Sequence, residues 1–186
     1  MKMTKSDIDN SATVHGTLVC VHGIGLLLTG SSAVGKSEAA LDLITRTHQL
    51  VCDDLVRIHF DEVGKGLFAL RNDKLPHQIA IRGIGLIDIA KTFGSKYTAE
   101  ASSIDVVVEL VRGEPIANFE CVAEPTRFYT ILGYDIPLYR IPIHPGKNTS
   151  AVLETLALKM KSEIADKNES SNLSRDVSGV TGRAFA

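Results

Sequence analysis

The most constraining feature of this sequence is the octapeptide GSSAVGKS at residues 30–37, which fits the phosphate-binding loop pattern G-x-x-x-x-G-K-[ST]. The apolar run at residues 24–29 precedes the loop and is typical of a buried strand. Residues 37–44 follow it, and their helix formers place apolar side chains at helical spacing. Strand, glycine loop and helix in this order are the context that such a loop requires, so the sequence predicts a phosphate-binding loop here.

The residue types in this loop suit phosphate binding. Gly30 and Gly35 allow backbone angles and a close approach that a side chain would block. Successive N–H groups and the positive end of the new helix bind phosphate oxygens. Lys36 is predicted to contact the β- and γ-phosphates of a nucleotide, and the Ser37 hydroxyl to bind Mg²⁺. The predicted nucleotide-binding residues are Gly30, Ser31, Ser32, Ala33, Val34, Gly35, Lys36 and Ser37. The structural alternative is an ordinary glycine turn with an exposed lysine.

Two adjacent acids form the second candidate element of a site. Asp53 and Asp54 follow the short apolar run at residues 49–52. In metal-assisted phosphoryl transfer one carboxylate can hold Mg²⁺ or its water, and another can take a proton from the attacking hydroxyl. The alternative is a turn at a strand end, where aspartate is common. Arg82, among glycines and aliphatic residues, is a cation that could contact a phosphate or form an ion pair with Asp88.

Composition and charge exclude several classes of protein. The 186 residues suffice for one compact domain, and the net charge of −2 gives no basic field for nucleic acid or an acidic membrane surface. No apolar run approaches the ~20 residues of a membrane span, and residues 1–10 lack the apolar core of a signal peptide. A cytoplasmic location is therefore predicted. Cys20, Cys52 and Cys121 match no zinc spacing, which predicts reduced thiols.

The predicted strands outnumber the predicted helices. Hairpins are expected at residues 17–21 with 24–29 and at 57–60 with 66–70, and further strands at 49–52, 104–111 and 138–143. Residues 76–94 are expected to be irregular around an apolar, glycine-rich segment at 79–89, and a helix is expected at 149–165. We therefore predict an α/β fold in which a phosphate-binding loop is set into a mixed, hairpin-rich sheet. The single domain is expected at residues 14–166, between a flexible N-terminus at 1–13 and a disordered tail at 167–186.

Five segments in order resemble the C-terminal catalytic domain of the HPr serine kinase/phosphorylase family. They are HGTLV at residues 15–19, GSSAVGKSE at 30–38, LVCDD at 50–54, IRGIGLID at 81–88 and IPIHPGKN at 141–148. The resemblance implies a P-loop kinase fold similar to that of phosphoenolpyruvate carboxykinase, assembled as a hexamer. It also implies ATP and Mg²⁺ as cofactors, and the phosphocarrier protein HPr as a substrate that is phosphorylated on serine and dephosphorylated by phosphorolysis.

The resemblance also assigns roles to residues. Asp54, supported by Asp53, is implied to be the base toward the serine hydroxyl and the acid in the reverse direction. Lys36 is implied to hold phosphate, and Arg127 is the nearest candidate for the catalytic arginine of the family. The implied catalytic residues are His15, Lys36, Asp53, Asp54 and Arg127, and the implied magnesium ligands are Ser37 and Asp53.

The sequence departs from the family pattern at several positions. Ala80 stands where the family has an acid that binds Mg²⁺, and Ser31 and Ala33 stand where its loop has aspartate and glycine. His144 and Lys147 replace two arginines, and lysine lacks the bidentate grip of arginine on phosphate. The N-terminal domain of the family is missing, which predicts a short form.

Two other functions remain open from the sequence. The first is a catalytically weakened nucleotide- or phosphate-sensing module on the same fold, which the alanine at position 80 favours. The second is a kinase of another small substrate. The pair Asp53 and Asp54 favours an enzyme, because phosphate binding alone requires neither acid.

Overall fold

The computed structural model describes residues 11–62, 66–71, 77–115, 119, 125 and 127–179, with side chains described up to residue 166. The strands are β1 Ser11–His15, β2 Thr17–Val21, β3 Ile24–Gly30, β4 Gln49–Cys52, β5 Leu55–Asp61, β6 Gly66–Leu70, β7 Gln78–Ile81, β8 Gly85–Asp88, β9 Ala101–Ser103, β10 Val106–Arg112, β11 Phe128–Ile131 and β12 Tyr134–Ile143. The helices are α1 Lys36–Thr45, α2 Ile89–Thr92 and α3 Thr149–Gly179, with a 3₁₀ turn at Ser95–Tyr97.

A six-stranded sheet in the order β11-β12-β10-β3-β2-β4 forms the centre of the fold. Strand β10 is parallel to both β3 and β12, whereas the other neighbouring pairs are antiparallel. In register, Gly30 lies opposite Leu110, and Arg112 lies opposite Ile143. The carboxyl ends of the three parallel strands therefore meet at the edge where the glycine loop begins. The predicted α/β fold with a mixed, hairpin-rich sheet is confirmed.

Strand β3 is buried on both of its faces, which explains its uninterrupted apolar sequence. Leu26 and Leu28 face a core that includes α1 and α3, and Leu27 faces a second core with strands β5 and β6. Because side chains alternate along a strand, this one strand joins both cores. The second core lies under an antiparallel four-stranded sheet in the order β1-β5-β6-β9.

The predicted hairpins are present. Strands β2 and β3 pair antiparallel through a turn at His22 and Gly23. Strands β5 and β6 also pair, although residues 63–65 of their turn lie outside the described residues. The glycine-rich segment forms the two-stranded β7–β8 hairpin. Local pattern predicted the first two hairpins because each joins sequence neighbours, whereas the segment that forms the third was expected to be irregular.

Both ends of the chain differ from the sequence-based expectation where they are described. Residues 11–13 belong to β1, which pairs with β5, because Ala12 and Val14 pack against the second core. Helix α3 continues to Gly179, into the segment expected to be disordered, and no proline or glycine interrupts it before that residue. Residues 1–10 and 180–186 lie outside the described residues, and the domain limits of 14–166 stay a prediction. Within the described part of the chain, no helix has the length and apolar character needed to cross a bilayer.

Candidate active site

The glycine loop connects β3 to α1 in a conformation that requires its glycines. Gly30 has φ of 127°, and a Cβ at this position would lie 2.4 Å from the carbonyl oxygen of Leu110. Gly35 has φ of 113° and directly precedes the first residue of α1. Arg112 donates from Nη2 to the carbonyl oxygen of Val34 at 3.2 Å. The loop is therefore fixed against β10 before any ligand binds.

Lys36 is a buried cation at the base of this loop. Its side chain is 8% exposed, and Nζ donates to the carbonyl oxygens of Gly30 at 3.2 Å and Ser31 at 3.1 Å. Neither acceptor carries a formal charge, so these contacts solvate the ammonium group without neutralising it. A buried charge of this kind favours an anion beside it.

Asp53 and Ser37, the two predicted magnesium ligands, are in contact with each other. The Ser37 hydroxyl lies 3.0 Å from Oδ2 and 3.3 Å from Oδ1 of Asp53. The Thr17 hydroxyl donates to Oδ1 of Asp53 at 2.5 Å, and Thr17 is fully buried in β2. Thr17 was not among the predicted site residues, because a contact between residues 36 positions apart leaves no local sequence pattern.

Asp54 lies next to His15 in an exposed turn. Its backbone is left-handed with φ of 71°, and its carbonyl oxygen accepts a hydrogen bond from the Gly16 N–H at 3.1 Å. Nδ1 of His15 lies 3.1 Å from Oδ1 of Asp54, and the two side chains are 53% and 74% exposed. Because both side chains are exposed, the contact orients the carboxylate while leaving it open to an incoming group. An exposed contact of this kind contributes little to stability.

These residues line one side of a cavity of about 450 Å³. His15, Lys36, Ser37, Asp53 and Asp54 all contribute to its wall, and so do Ser32, Ala33 and Gly35 of the loop. Gly30 and Ser31 instead supply the carbonyl oxygens that hold Lys36. The structure thus brings four of the five predicted catalytic residues to a single cavity.

The β7–β8 hairpin also contributes residues to this cavity. Ala80 and Arg82 both line the cavity. Asp88 does not pair with Arg82; it caps α2 by accepting from the Lys91 N–H at 3.0 Å and lies 3.0 Å from Lys91 Nζ. The hydrogen bond from the Lys91 N–H is the main cause that lowers the pKa of Asp88. Arg82 is therefore left at the cavity as a cation that can contact a phosphate.

A second cavity of about 440 Å³ adjoins the first on the other side of the loop. Arg82, Arg112 and Lys147 line it, together with Val34 of the loop and Asn148. Asn148 accepts from the Ala151 N–H at 3.0 Å and so caps the first turn of α3. Cationic side chains therefore reach the glycine loop from β10 and from the segment before α3.

Arg127 lies apart from this group. It directly precedes β11, the edge strand of the central sheet, and its carbonyl oxygen accepts from the Leu138 N–H at 2.9 Å. It does not belong to the residues that line either of these two cavities. A catalytic role for Arg127 stays a prediction.

The thiol next to the acidic pair is not a nucleophile at neutral pH. Burial, reinforced by the negative charge of Asp53, raises the pKa of Cys52 to about 12. Cys52 therefore remains protonated and behaves as a small apolar residue. Cys20 and Cys52 are free thiols, as predicted, and Cys121 lies outside the described residues.

Comparisons with known proteins all indicate the same family. A family model described as the HPr Serine kinase C-terminal domain matches residues 6–177. The HPr kinase/phosphorylase of Chlorobaculum tepidum is 42% identical over 144 residues, which cover 77% of this chain and 42% of that protein. The protein of the same name from Chlorobium phaeobacteroides is 42% identical over 144 residues, covering 77% and 45%. The chain spans less than half the length of these curated relatives.

A solved structure supports the same relationship. The Hpr(Ser) kinase/phosphatase from Coxiella burnetii superimposes with a TM-score of 0.76 at 30% sequence identity. The match covers 87% of this chain and 98% of the solved chain. The likeness therefore extends over the sheet and the loop together.

Proposed function

Because this chain belongs to the HPr serine kinase C-terminal domain family, we propose that it transfers phosphate from ATP to a serine of an HPr-like phosphocarrier protein and removes that phosphate by phosphorolysis. The observation that carries the proposal is the convergence of a phosphate-binding loop, a Ser37–Asp53 pair and a His15–Asp54 pair on one cavity. A simple phosphate-binding protein has no need of the two acids. The proposed location is the cytoplasm, where ATP is available.

The loop suits the triphosphate of ATP. Its backbone N–H groups and the start of α1 would hold phosphate oxygens, and Lys36 Nζ would exchange a carbonyl contact for the β- and γ-phosphates. The adjoining cavity, with Arg112 and Lys147, offers room for the remainder of the nucleotide.

The Ser37–Asp53 pair suits Mg²⁺. Mg²⁺ prefers oxygen ligands and needs only one or two from the protein, and both groups present oxygens 3.0 Å apart. Ser37 and Asp53 would hold the ion, with Thr17 fixing the carboxylate from behind. When bound, Mg²⁺ would neutralise charge on the phosphate oxygens.

Asp54 is proposed to move the proton. In the forward direction its carboxylate takes the proton of the substrate serine hydroxyl as that oxygen bonds to the γ-phosphorus and ADP leaves. In the reverse direction an oxygen of inorganic phosphate attacks the phosphoserine phosphorus, and protonated Asp54 returns its proton to the departing serine oxygen, which yields pyrophosphate. His15 positions the carboxylate through its contact at 3.1 Å.

The test is phosphate transfer to a defined acceptor. The protein is incubated with labelled ATP, Mg²⁺ and a panel of HPr-like phosphocarriers, each with a matched variant whose acceptor serine is alanine. We expect label on a carrier that keeps its serine, and pyrophosphate when the labelled carrier is returned with inorganic phosphate. ATP binding without transfer to any carrier would favour the second candidate, a sensing module, for which Ala80 at the cavity is the supporting observation.

Adding a carboxylate at position 80 should ease the requirement for Mg²⁺. Ala80 is exposed on β7 and lines the cavity, so Ala80→Glu introduces an oxygen ligand there without disturbing the core. We expect the Mg²⁺ concentration for half-maximal activity to fall roughly tenfold to a hundredfold, the range for changes in the support of a metal site. A Mg²⁺ titration measures it, and Ala80→Gln is the uncharged control. Equal midpoints for the two variants would contradict this role.

We also propose a homo-oligomer, with the hexamer of the family as the expected form. Ile84 and Leu86 on the β7–β8 hairpin are 73% and 61% exposed, and large exposed apolar side chains favour contact with another subunit. Light scattering should give a mass several times that of the 20.1 kDa chain. A monomer at high protein concentration would refute the assembly.

A further inference from the structure

Three side chains with metal-binding atoms meet at the end of the molecule opposite the glycine loop. His22 lies in the turn before β3, His48 follows α1, and Glu154 lies on α3. Their ligand atoms all lie within 4.8 Å of one another. The seven residues of β3 separate this cluster from the loop by about 20 Å. The cluster is therefore independent of the candidate active site and of its proposed reaction.

The distances in the cluster suit a tetrahedral ion. Nε2 of His48 lies 2.9 Å from Oε1 of Glu154, and Nε2 of His22 lies 3.7 Å from the same oxygen. Zinc bonds to nitrogen and oxygen of about 2.0–2.1 Å place neighbouring ligands of a tetrahedral ion about 3.3 Å apart. The imidazole rings are 4.6 Å apart between centroids and inclined at 78°, so both can direct a nitrogen toward one point. Small side-chain rotations would admit the ion.

The glutamate is held in the orientation that such a site needs. Arg46 lies 3.3 Å from Oε2 of Glu154, which leaves Oε1 facing the histidines. The hydrogen bond with His48, followed by the charges of His48 and Arg46, lowers the pKa of Glu154 despite partial burial. The Arg46 charge opposes a cation, but ligands of metal sites are commonly oriented by a charged or hydrogen-bonding neighbour.

The turn at His22 determines where its side chain is presented. His22 and Gly23 have φ of 53° and 86°, the left-handed pair of a type I′ hairpin turn. Asn-Gly is the preferred pair for this turn, and histidine is among the residues enriched in the left-handed region, so the turn accommodates it. The ring placed there contacts both His48 and Glu154.

We propose that His22, His48 and Glu154 bind a zinc-class divalent ion, with water in the fourth position. Two imidazoles and one carboxylate form a donor set that Zn²⁺ and Co²⁺ accept and that Mg²⁺ does not prefer. His48 is buried with 5% exposure, whereas His22 is 36% exposed, so the fourth position faces solvent. The ion would link His22 in the β2–β3 turn and His48, which follows α1, to Glu154 on α3. It would therefore stabilise α1, the helix that starts at the glycine loop.

The binding test uses the full chain without an affinity tag, treated with EDTA and free of nucleotide. Calorimetric titration with Zn²⁺ should give one ion per chain, and Mg²⁺ should not compete. Co²⁺ should produce the intense visible absorption of a tetrahedral site, which the hydrated ion lacks. The melting temperature should rise with Zn²⁺, since an ion that binds only the folded chain stabilises it. Absence of zinc binding would show that the cluster is only an ion pair and would overturn the proposal.

Two variants test the residues without threatening the fold. His22→Asn installs the preferred pair of the type I′ turn, so the hairpin should remain, and Glu154→Gln keeps the shape of the side chain. In each, the dissociation constant for Zn²⁺ should rise roughly a hundredfold or more, and the cobalt spectrum should disappear. His59→Asn, at a half-buried histidine on β5, is the matched control and should bind as the unmodified chain does. Zinc binding that survives both cluster variants but is lost in Asp53→Asn would assign the ion to the cavity at the loop and overturn the proposal.

Discussion

Lys36→Ala is expected to lower the rate of phosphate transfer by roughly 10²–10³-fold, the cost of removing one group that stabilises charge in a transition state. Nζ of Lys36 lies 3.2 Å and 3.1 Å from two loop carbonyl oxygens, so it already stands where the phosphates would bind. The alanine variant loses the charge and leaves those carbonyls to water. ATP affinity should weaken as well, because the same charge acts on the bound nucleotide before and during transfer.

The measurement combines a transfer assay with a titration of nucleotide binding. Lys91→Ala is the matched control, because Lys91 is 84% exposed and lies beside Asp88 on α2. It should retain full activity and nucleotide affinity. Unchanged transfer in Lys36→Ala, with a melting curve like that of the parent chain, would mean that the loop is not the phosphate site.

The sequence predicted the parts of this fold that local pattern determines. The loop, its flanking strand and helix, and the β2–β3 and β5–β6 hairpins were predicted from runs of apolar residues and glycine turns. Strands β7, β8, β9 and β11 were not predicted, because each is only three or four residues long and is stabilised by pairing with a neighbouring strand. Ala101–Ser103 in particular has no apolar alternation, and it is a strand because β6 offers it an unpaired edge.

The pairing of distant segments was likewise outside the reach of sequence pattern. The order of the strands along the chain does not predict that β10 lies between β3 and β12 in the sheet. It also does not predict that a second sheet covers Leu27. The same limit applies to sites. His48 and Glu154 are 106 positions apart and meet only because α3 packs beside the end of α1.

The candidate active site was more predictable than the sheet order. Motif spacing predicted Lys36 and Ser37, the acids after a short apolar strand predicted Asp53 and Asp54, and the resemblance to a family added His15. Arg127 was chosen as the nearest candidate for an arginine whose motif has no clean counterpart here; it directly precedes the edge strand β11, and its catalytic role stays a prediction. Arg82 lines the cavity together with residues of the loop, and this arrangement depends on tertiary packing.

Asp54→Asn is expected to lower transfer by roughly 10²–10⁴-fold in both directions, the usual contribution of a general acid–base group. Asparagine is among the residues that tolerate the left-handed φ of 71° found at this position, so the turn and its hydrogen bond with Gly16 should persist. The side chain keeps its shape but can no longer accept the proton of the serine hydroxyl. The loss should therefore fall on chemistry, not on folding.

Single-turnover transfer and equilibrium ATP binding are measured for each variant. Together they distinguish a loss of proton transfer at Asp54 from a loss of phosphate binding at Lys36. Asp54→Asn should bind ATP as tightly as the parent chain does while its rate of transfer falls. Lys36→Ala should lower both the ATP affinity and the rate of transfer. Glu100→Gln is the matched control: Glu100 is 73% exposed, close to the 74% of Asp54, and it pairs with Arg71 instead of lining the cavity. Transfer by Asp54→Asn at the rate of the Glu100→Gln control would show that another group takes the proton, and would remove Asp54 from the proposed reaction.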